Sequence, residues 1–272
     1  MNELELKQQT EEEIKQKIKG CIIRPSVAVI EIGENDLNSA IIKEREESCN
    51  KTGIYFRHYK YEDTTPELTI INKIKELNND DYVDGVMVQF PIPEKYNDKR
   101  LVNTIINSKD INGQTDINVG RLISGRKTIV PIHTLAIMSY LEEADLLDKK
   151  ILIVYNNKTN IRALANTLLN SNYDVNLVYY GSKNLEKFVG SSDIIISSAD
   201  TKEAISDSWI KKGTKLIDAG IILEKNKIIG DLNYKKVSAV GEVLTSENGI
   251  LPLEDTMFLK NILFCYESKK NS

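Results

Sequence analysis

Short apolar runs alternate with amphipathic stretches along the first third of the chain. Runs rich in β-branched and aromatic residues predict strands at Ser26–Ile32, residues 55–59 and residues 85–90. Between them, apolar residues spaced three or four apart predict helices over residues 39–52 and 66–78. The expected apolar face of the second helix consists of Leu68, Ile71, Ile74 and Leu77. A strand–helix–strand order of this kind is typical of parallel βαβ units.

A second series of alternating elements begins after residue 148. Strands are predicted at Ile151–Tyr155, 174–180, Ile194–Ser198 and 216–219, and helices at 161–170 and 185–189. This is the layout of a Rossmann-like domain. Further helices are predicted over residues 3–19, 134–146 and 253–267. The last of these has an apolar face made of Met257, Leu259, Ile262 and Leu263.

The composition is that of a globular protein with room for two domains, since 41% of the 272 residues are hydrophobic and 28% are charged. A formal net charge of -4 without a basic stripe argues against a nucleic-acid partner. The charged N-terminus and the lack of any run of about 20 apolar residues predict no membrane partner and a cytoplasmic protein. Cys21, Cys49 and Cys265 are far apart, which predicts neither a disulfide framework nor a metal site.

Two neighbouring stretches have a pattern that is specific to one family. Residues 84–93 are DGVMVQFPIP, and residues 109–122 are KDINGQTDINVGRL. Three further stretches carry the same signal: GENDLNSAIIKEREESCNKTGI from residue 33, AISDSWIKKGTKLIDAG from residue 204 and KIIGDLNY from residue 227. Together they resemble the FolD family of bifunctional methylenetetrahydrofolate dehydrogenases/methenyltetrahydrofolate cyclohydrolases, and the resemblance extends over nearly the whole chain.

The resemblance implies an α/β protein with two domains that flank a cleft. Residues 1–130 with 250–272 would form the folate-binding, catalytic-type domain, a βαβ domain completed by the C-terminal helix. Residues 131–249 would form the Rossmann-like, NAD(P)-binding-type domain with a parallel sheet. NADP or NAD as cofactor, a small folate-like ligand and a homodimer are also implied. The family's reactions are the oxidation of 5,10-methylenetetrahydrofolate and the hydrolysis of the methenyl product to 10-formyltetrahydrofolate.

On the folate side, the resemblance implies substrate-binding or catalytic positions at Ile41, Arg45, Gln89, Pro91, Asn112 and Pro252. Gln89 stands at the family's glutamine, which positions the substrate; the alternative is a polar strand end that satisfies nearby backbone. Arg45 stands where the family has an acid–base lysine, and Ile41 where it has a tyrosine one turn earlier. Arginine keeps its proton, so Arg45 is expected to be a poor proton carrier. The alternative is a solvated helix residue.

Asn112 takes the place of the family's aspartate, which pairs with the donor edge of the pterin. An amide offers a single acceptor oxygen, so we expect weaker recognition, by about 1–3 kcal/mol for an unsatisfied buried group. Asn112-Gly113 is also a common turn pair, and turn chemistry alone could account for both residues. The same alternative applies to Asn118 and Gly120.

On the dinucleotide side, the family's GRSxxVGxP loop corresponds to YNNKTNIRA at residues 155–163. Tyr155 and Ile161 take the place of its two glycines, and side chains of that size are expected to obstruct a pyrophosphate. The degenerate cofactor-binding positions are Asn156, Asn157, Thr159, Ile161 and His133.

Some of these residues could instead have ordinary structural roles. Thr159 or Asn160 could cap the following helix. His133 could titrate near neutrality, or be an ordinary loop residue after a proline. The family's glycine-rich closing motif has become GILPLEDT at residues 249–256, which keeps a proline at Pro252 but few glycines.

The sequence therefore supports two main hypotheses about function. The substitutions favour a divergent FolD-type protein whose dehydrogenase activity is impaired or lost and which keeps a folate-like ligand. Family resemblance alone favours an active dehydrogenase/cyclohydrolase. A Rossmann-type dehydrogenase for another small substrate is a third hypothesis, but the chain lacks a glycine fingerprint for it.

Overall fold

The computed structural model describes residues 3–141, 146, 148–156, 159–224 and 227–270 of the chain. The chain divides into two compact units, Met1–Ile132 with Asp255–Ser272, and His133–Glu254. The domain boundaries expected from the sequence lie a few residues earlier, after residues 130 and 249. Among the described residues, no helix is long and apolar enough to cross a membrane.

The first unit is built around a small parallel sheet. Up to residue 132 its elements are α1 Glu3–Ile18, β1 Ser26–Ile32, α2 Asp36–Thr52, β2 Tyr55–Tyr61, α3 Glu67–Asn79, β3 Gly85–Val88, α4 Asp98–Thr104 and α5 Asp116–Ile123. The strand order is β2-β1-β3, and both neighbours of β1 run parallel to it. The βαβ rhythm predicted from the sequence is confirmed.

The buried face of α3 differs from the predicted one. Its buried residues are Ile70, Ile71, Ile74 and Leu77, and they pack in one cluster with residues of β1 and β3. The prediction for Leu68 is wrong, because this side chain is 60% exposed. Leu68 and Ile70 lie roughly 200° apart around the helix, so only one of them can face the sheet. The choice depends on the angle at which the helix meets the sheet, and Ile70 is the one that packs.

Local signals define both ends of α2. The side chain of Asn35 accepts a hydrogen bond from the backbone N–H of Asn38, which caps the start. The helix therefore begins at Asp36, three residues before the predicted start. Gly53 ends it in the left-handed conformation, with φ of 87°.

The second unit has the predicted Rossmann-like sheet. Its elements are α6 Ile132–Leu141, β4 Ile151–Tyr155, α7 Thr159–Asn170, β5 Val175–Tyr179, α8 Leu185–Ser191, β6 Ile194–Ser198, β7 Thr214–Asp218, β8 Ile222–Glu224, β9 Lys227–Ile229, α9 Tyr234–Val237 and β10 Gly241–Leu244. The last helix, α10 Leu251–Lys270, belongs to the first unit from Asp255 onwards. Five strands form a parallel sheet in the order β10-β7-β6-β4-β5, and β8 pairs with β9 as a hairpin. The chain leaves β4 towards β5 on one side and returns to β6 on the other. Such a reversal point is where open parallel sheets commonly bind ligands, at the carboxyl ends of the strands.

Short elements are the ones that the sequence did not predict. The missed elements are α4, α5, α9, β8, β9 and β10, each of three to eight residues. Segments of this length are too short for a hydrophobic period to be distinguished from chance. The predicted helix over 134–146 is seen as α6, which begins two residues earlier; residues 142–145 lie outside the described part.

The helix α10 extends beyond the predicted range at both ends. The predicted apolar face, Met257, Leu259, Ile262 and Leu263, is buried as expected. Phe258 and Cys265, on other sides of the helix, are buried as well. A helix that is buried on several sides belongs in an interior, and this one also carries four buried polar residues, Glu254, Asp255, Thr256 and Asn261.

Candidate functional site

Gln89 lies immediately after β3, where the sheet ends. The predicted strand continued to residue 90, but the observed strand stops at Val88, shortly before Pro91, which has no N–H to donate to a sheet. The Phe90–Pro91 peptide bond is cis. The Gln89 side chain is 6% exposed. Its Oε1 accepts a hydrogen bond from Nη1 of Arg45 at 2.9 Å, and its Nε2 donates to the carbonyl of Phe90 at 2.9 Å. Gln89 therefore satisfies nearby backbone and also contacts the residue at position 45; its role in positioning a substrate stays a prediction.

Arg45 is part of the buried face of α2. Only 5% of the residue is exposed, so the alternative of a solvated helix residue is wrong. The guanidinium lies over the ring of Phe258, with 4.9 Å from Cζ to the ring centroid. Its Nε is 3.6 Å from Oδ1 of Asp255. Arg45 therefore joins α2, the end of β3 and α10.

Lys7 completes this buried group. Nζ of Lys7, in α1, is 3.2 Å from Oδ2 of Asp255 and 2.7 Å from Oε1 of Glu44. Burial opposes the charge of Lys7, but Asp255 and Glu44 outweigh it, so its pKa is raised. Burial raises the pKa of Asp255, while Arg45 and Lys7 act in the opposite direction. We call Lys7, Arg45 and Asp255 the buried charge cluster.

Lys7, Asp255 and Asn38 were not predicted as site residues from the sequence. Asn38 donates to the carbonyl of Pro91 at 2.8 Å and lies 3.4 Å from Nε2 of Gln89, so it holds the loop after β3. A signal for Asp255 was present: an acidic residue inside the apolar run of the last helix needs a partner. No comparable signal marks Lys7 in the strongly charged first helix.

Ile41 and Pro91 lie close in the chain to this site. Ile41 is half-buried on α2, one turn before Arg45, and Pro91 is exposed beside the cis bond. The first unit thus brings Gln89 and Arg45 into contact, with Ile41 and Pro91 adjacent to them along the chain. Pro252 belongs to the second unit, in the first turn of α10.

The second folate motif forms a tight loop. Asn112 is half-buried and, among the described residues, its side chain has no hydrogen-bond partner. Gly113 has φ of +62°, and a Cβ there would come within 2.7 Å of the Ile129 carbonyl, so only glycine fits. Turn chemistry therefore accounts for Gly113 but leaves the Asn112 amide available to a ligand.

Other residues of the same motif are structural. Oδ2 of Asp110 accepts hydrogen bonds from the Thr115 N–H at 2.8 Å and from Asn118 Nδ2 at 2.9 Å. The turn interpretation of Asn118 and Gly120 is wrong, because both residues lie inside α5 and neither has a positive φ. Asn118 is 1% exposed. Nζ of Lys109 donates to the carbonyls of Leu77, Asn78 and Asp80, at the end of α3. Burial, together with Lys269, lowers the pKa of Lys109.

Tyrosines cover the carboxyl ends of β4 and β5 in the second unit. The ring of Tyr155 packs edge-on against Tyr179, with centroids 6.1 Å apart, and Tyr179 packs against Tyr180 at 4.9 Å. Ile161 has no exposed surface, so its side chain belongs to the interior of the unit. Of the two residues expected to obstruct a pyrophosphate, only Tyr155 lies at the outer edge.

The remaining degenerate cofactor positions are partly described. Asn156 is half-buried directly after β4. Asn157 lies outside the described residues, and of Thr159 the structure gives only its place at the start of α7. The residues shown therefore test the fit of a dinucleotide only at Tyr155, where the side chain occupies the position that a glycine would leave open.

His133 is not a loop residue, because it lies in the first turn of α6. Its Nδ1 is 2.7 Å from Oε1 of Glu254, and its Nε2 is buried without a hydrogen-bond partner among the described residues. A carboxylate that orients an imidazole in this way is a common arrangement in acid–base sites and in structural pairs alike.

Two motifs of the second unit, LIDAG and KIIGDLNY, each contain a buried aspartate, Asp218 and Asp231. Asp218 ends β7 and accepts hydrogen bonds from the N–H groups of Asp231 at 2.8 Å and Leu232 at 3.0 Å. Asp231 accepts from Ser197 Oγ at 2.8 Å and from the N–H of Ala199. Burial, reinforced by Asp231, raises the pKa of Asp218 to about 6 against the effect of these donors. We call Asp218 and Asp231 the acid pair.

Within the described part of the chain, no group of histidine, cysteine, aspartate and glutamate could hold a metal ion. The cysteines Cys21, Cys49 and Cys265 are free, and burial raises the pKa of Cys49 and of Cys265.

The fold and the two sites define an α/β protein made of a βαβ unit and a Rossmann-like unit. The model of the tetrahydrofolate dehydrogenase/cyclohydrolase catalytic domain matches residues 1–112, and that of the NAD(P)-binding domain of the same family matches residues 131–270. The chain therefore belongs to the tetrahydrofolate dehydrogenase/cyclohydrolase family, which confirms the predicted resemblance and fold class.

Individual relatives agree with this assignment. The chain is 31% identical over 246 residues to the bifunctional protein FolD of Pelagibacter ubique, covering 89% of this chain and 88% of that protein. It is 32% identical over 257 residues to FolD of Campylobacter hominis, covering 93% and 89%. The crystal structure of the bifunctional FolD enzyme from Campylobacter jejuni superposes with a TM-score of 0.90 at 29% identity, covering 98% of this chain and 96% of that one.

Proposed function

We propose that this protein binds a folate-like ligand in its first unit, and that the one-carbon chemistry of its family is impaired in it. This proposal rests on one observation, which is that Arg45 is buried and held between several partners. It occupies the position of the family's acid–base lysine, is 5% exposed, and is held by Asp255, Gln89 and Phe258.

Arg45 cannot perform the role that a lysine has in proton transfer. A guanidinium keeps its proton at every pH at which proteins are folded. A proton carrier must also exchange between two states, whereas Arg45 is buried between fixed partners. The hydrolytic step thus loses its acid–base group, while Gln89 remains placed to orient a ligand.

Recognition of the ligand is proposed to involve Asn112 and Gln89. The Asn112 side chain is half-buried and makes no hydrogen bond to the described residues, so its amide is available to a ligand. An amide pairs less well than a carboxylate with a donor–donor edge. We therefore expect a folate-like ligand to bind, with lower affinity than in a protein that has aspartate at this position.

For the oxidative step, we propose that NADP or NAD binds poorly. The support is Tyr155, whose ring lies at the carboxyl end of β4 against Tyr179. A side chain there occupies space that a phosphate needs at the start of the following helix. Ile161 is no part of this argument, because its side chain is interior.

Two properties carried over from the family complete the proposal. A homodimer in the cytoplasm is the arrangement that the resemblance implies. Sedimentation equilibrium of the purified chain tests the oligomeric state, and a mass of about one chain at all concentrations would contradict it.

A second candidate is an active dehydrogenase/cyclohydrolase. It is favoured by the 2.9 Å contact between Gln89 and the residue at position 45, which keeps the arrangement of a working site. The two candidates differ in what happens to 5,10-methylenetetrahydrofolate.

The deciding experiment incubates the protein with 5,10-methylenetetrahydrofolate and NADP or NAD while methenyl absorbance is followed. We expect little or no turnover, together with thermal stabilisation by folates and none by dinucleotides alone. Turnover that is abolished by Gln89→Ala would establish the second candidate. Stabilisation by NADP alone would contradict the argument from Tyr155.

A further inference from the structure

Three charged side chains from three helices meet in the interior of the first unit. Lys7 comes from α1, Arg45 from α2 and Asp255 from α10, and their side chains are 8%, 6% and 10% exposed. Glu44 also contacts Lys7, but its side chain is 51% exposed. Asp255 is therefore the anion that lies between the two buried cations.

Asp255 matters because arginine cannot be neutralised by burial. A buried lysine or carboxyl group can exchange its proton and become neutral, but a guanidinium cannot. A buried arginine therefore needs an opposite charge close by. Among the described residues, Asp255 supplies this charge at 3.6 Å from Nε.

The same helix also sets the direction of the guanidinium. Asp255 lies on the Nε side, and Phe258, one turn later on α10, lies under the plane of the group. With these two constraints, Nη1 points to Oε1 of Gln89 at 2.9 Å and to the sulfur of Met87 at 3.6 Å. The amide of Gln89 is then left with Nε2 towards the Phe90 carbonyl.

We propose that Asp255 is a positioning residue, which compensates the charge of the cation at position 45, directs it at Gln89 and thereby fixes the orientation of the Gln89 amide in the ligand site. The second half of this statement rests on the proposed function, because it takes Gln89 as a ligand-binding residue. The first half does not, and it can be tested without any ligand.

Described groups from four elements lie around position 45. They are Lys7 from α1, Glu44 and Cys49 from its own helix, Met87 and Gln89 from the end of β3, and Asp255 and Phe258 from α10. Lys7 has the same charge as a cation at position 45 and therefore disfavours it. The carboxylate of Glu44 has the opposite charge, but its side chain is 51% exposed, so water weakens its effect. Asp255 is the group whose removal changes the balance most.

The first experiment measures the protonation of a lysine at position 45. The variants Arg45→Lys and Arg45→Lys/Asp255→Asn are labelled with 13Cε-lysine, and the additional resonance is followed by NMR from pH 6 to 11. The double variant is expected to fold, because a lysine that loses its counter-ion can lose its proton, which arginine cannot do.

We expect the lysine of Arg45→Lys to stay protonated throughout neutral pH. In the double variant its midpoint should be lower by about one pH unit or more. A replacement of Glu44 by Gln in the same background is the matched control and should move the midpoint less. Equal midpoints with and without Asp255 would overturn the proposal.

The second experiment asks whether Asp255 acts through Gln89. Binding of tetrahydrofolate is measured by titration calorimetry for Arg45→Lys and Arg45→Lys/Asp255→Asn, each with and without Gln89→Ala. We expect loss of Asp255 to weaken binding about tenfold when Gln89 is present and less than about twofold when it is absent. A purely structural effect would weaken binding equally in both backgrounds and would contradict the proposal.

The two experiments separate the possible failures. If the unchanged protein binds no folate, the proposed function fails, and the NMR midpoints still decide whether Asp255 controls the charge at position 45. If folate binds but the midpoints coincide, the inference about Asp255 fails and the proposed function stands.

Discussion

The buried charge cluster of the first unit and the acid pair of the second unit place ionised groups in an interior by different means. In the cluster, Asp255 is stabilised by opposite charges from α1 and α2. In the acid pair, Asp218 and Asp231 are stabilised mainly by hydrogen-bond donors from nearby loops. The first solution depends on distant chain segments, whereas the second is made within one stretch of the chain.

This difference has a consequence for how each site responds to change. Opposite charges that face each other in an interior depend on one another, and the loss of one leaves the other without compensation. Backbone N–H groups keep their position when a carboxylate is altered. The loss of stability is then limited to the hydrogen bonds that these groups no longer make. The cluster should therefore be the more sensitive of the two.

The largest expected effect is that of Asp255→Ala, which removes the buried carboxylate that lies between Arg45 and Lys7. We expect a loss of about 3–5 kcal/mol in the free energy of unfolding, measured by urea denaturation. Glu44→Ala is the matched control, because it removes the exposed partner of Lys7, and it should cost about 1 kcal/mol or less. Similar losses for both variants would mean that the cluster behaves like a surface ion pair.

The second effect is a pH dependence that belongs to Asp218. Its pKa is raised to about 6 in the folded protein, so the folded state binds the proton more tightly than the unfolded chain. The stabilisation is complete below pH ~4 and is lost as the pH rises through about 6, which amounts to roughly 3 kcal/mol. Urea unfolding of the protein and of Asp218→Asn between pH 4 and 7 should show this slope in the first and a smaller one in the second. Parallel pH profiles would exclude a proton on Asp218.

A third effect tests how closely the acid pair is packed. A Cβ at Gly230 would overlap the carboxylate of Asp218, so Gly230→Ala has to displace it. We expect a loss of about 1–3 kcal/mol. At Gly190, in the same unit, the nearest atom to an added Cβ is the Trp209 carbonyl at 3.5 Å, an ordinary contact. Gly190→Ala should therefore be neutral or stabilising, and a comparable loss there would argue against a local cause.

The smallest effect concerns Lys109, a cation of the first unit. Backbone groups stabilise it through hydrogen bonds, as they do for the acid pair. Lys109 donates to three carbonyls at the end of α3. Lys109→Met removes these hydrogen bonds but also removes a buried charge, so we expect a loss of about 1 kcal/mol in urea unfolding. Lys99→Met, on the surface of α4, is the control with no expected change. A loss as large as that of Asp255→Ala would remove the distinction between the two kinds of stabilisation.

Much of the candidate site was predictable where the signal is local. Gln89 and Arg45 were identified from short motifs, and the structure shows them in contact at 2.9 Å. The partner of Arg45 was not predicted, because Asp255 comes from the other end of the chain. His133 was misplaced in a loop, since one proline before it outweighed the weak helical signal of α6.

The amino-acid sequence was sufficient to predict the family, the parallel α/β architecture and strands such as β1, β4 and β6, because apolar runs and motifs are properties of neighbouring residues. Packing in three dimensions was needed to show which face α3 buries, that Ile161 is interior, and that Asp255 is a counter-ion of the arginine at position 45. Lys7 and Asp255, which lie 248 residues apart, meet there because three helices converge. Convergence of this kind depends on packing between distant segments, and no local pattern contains it.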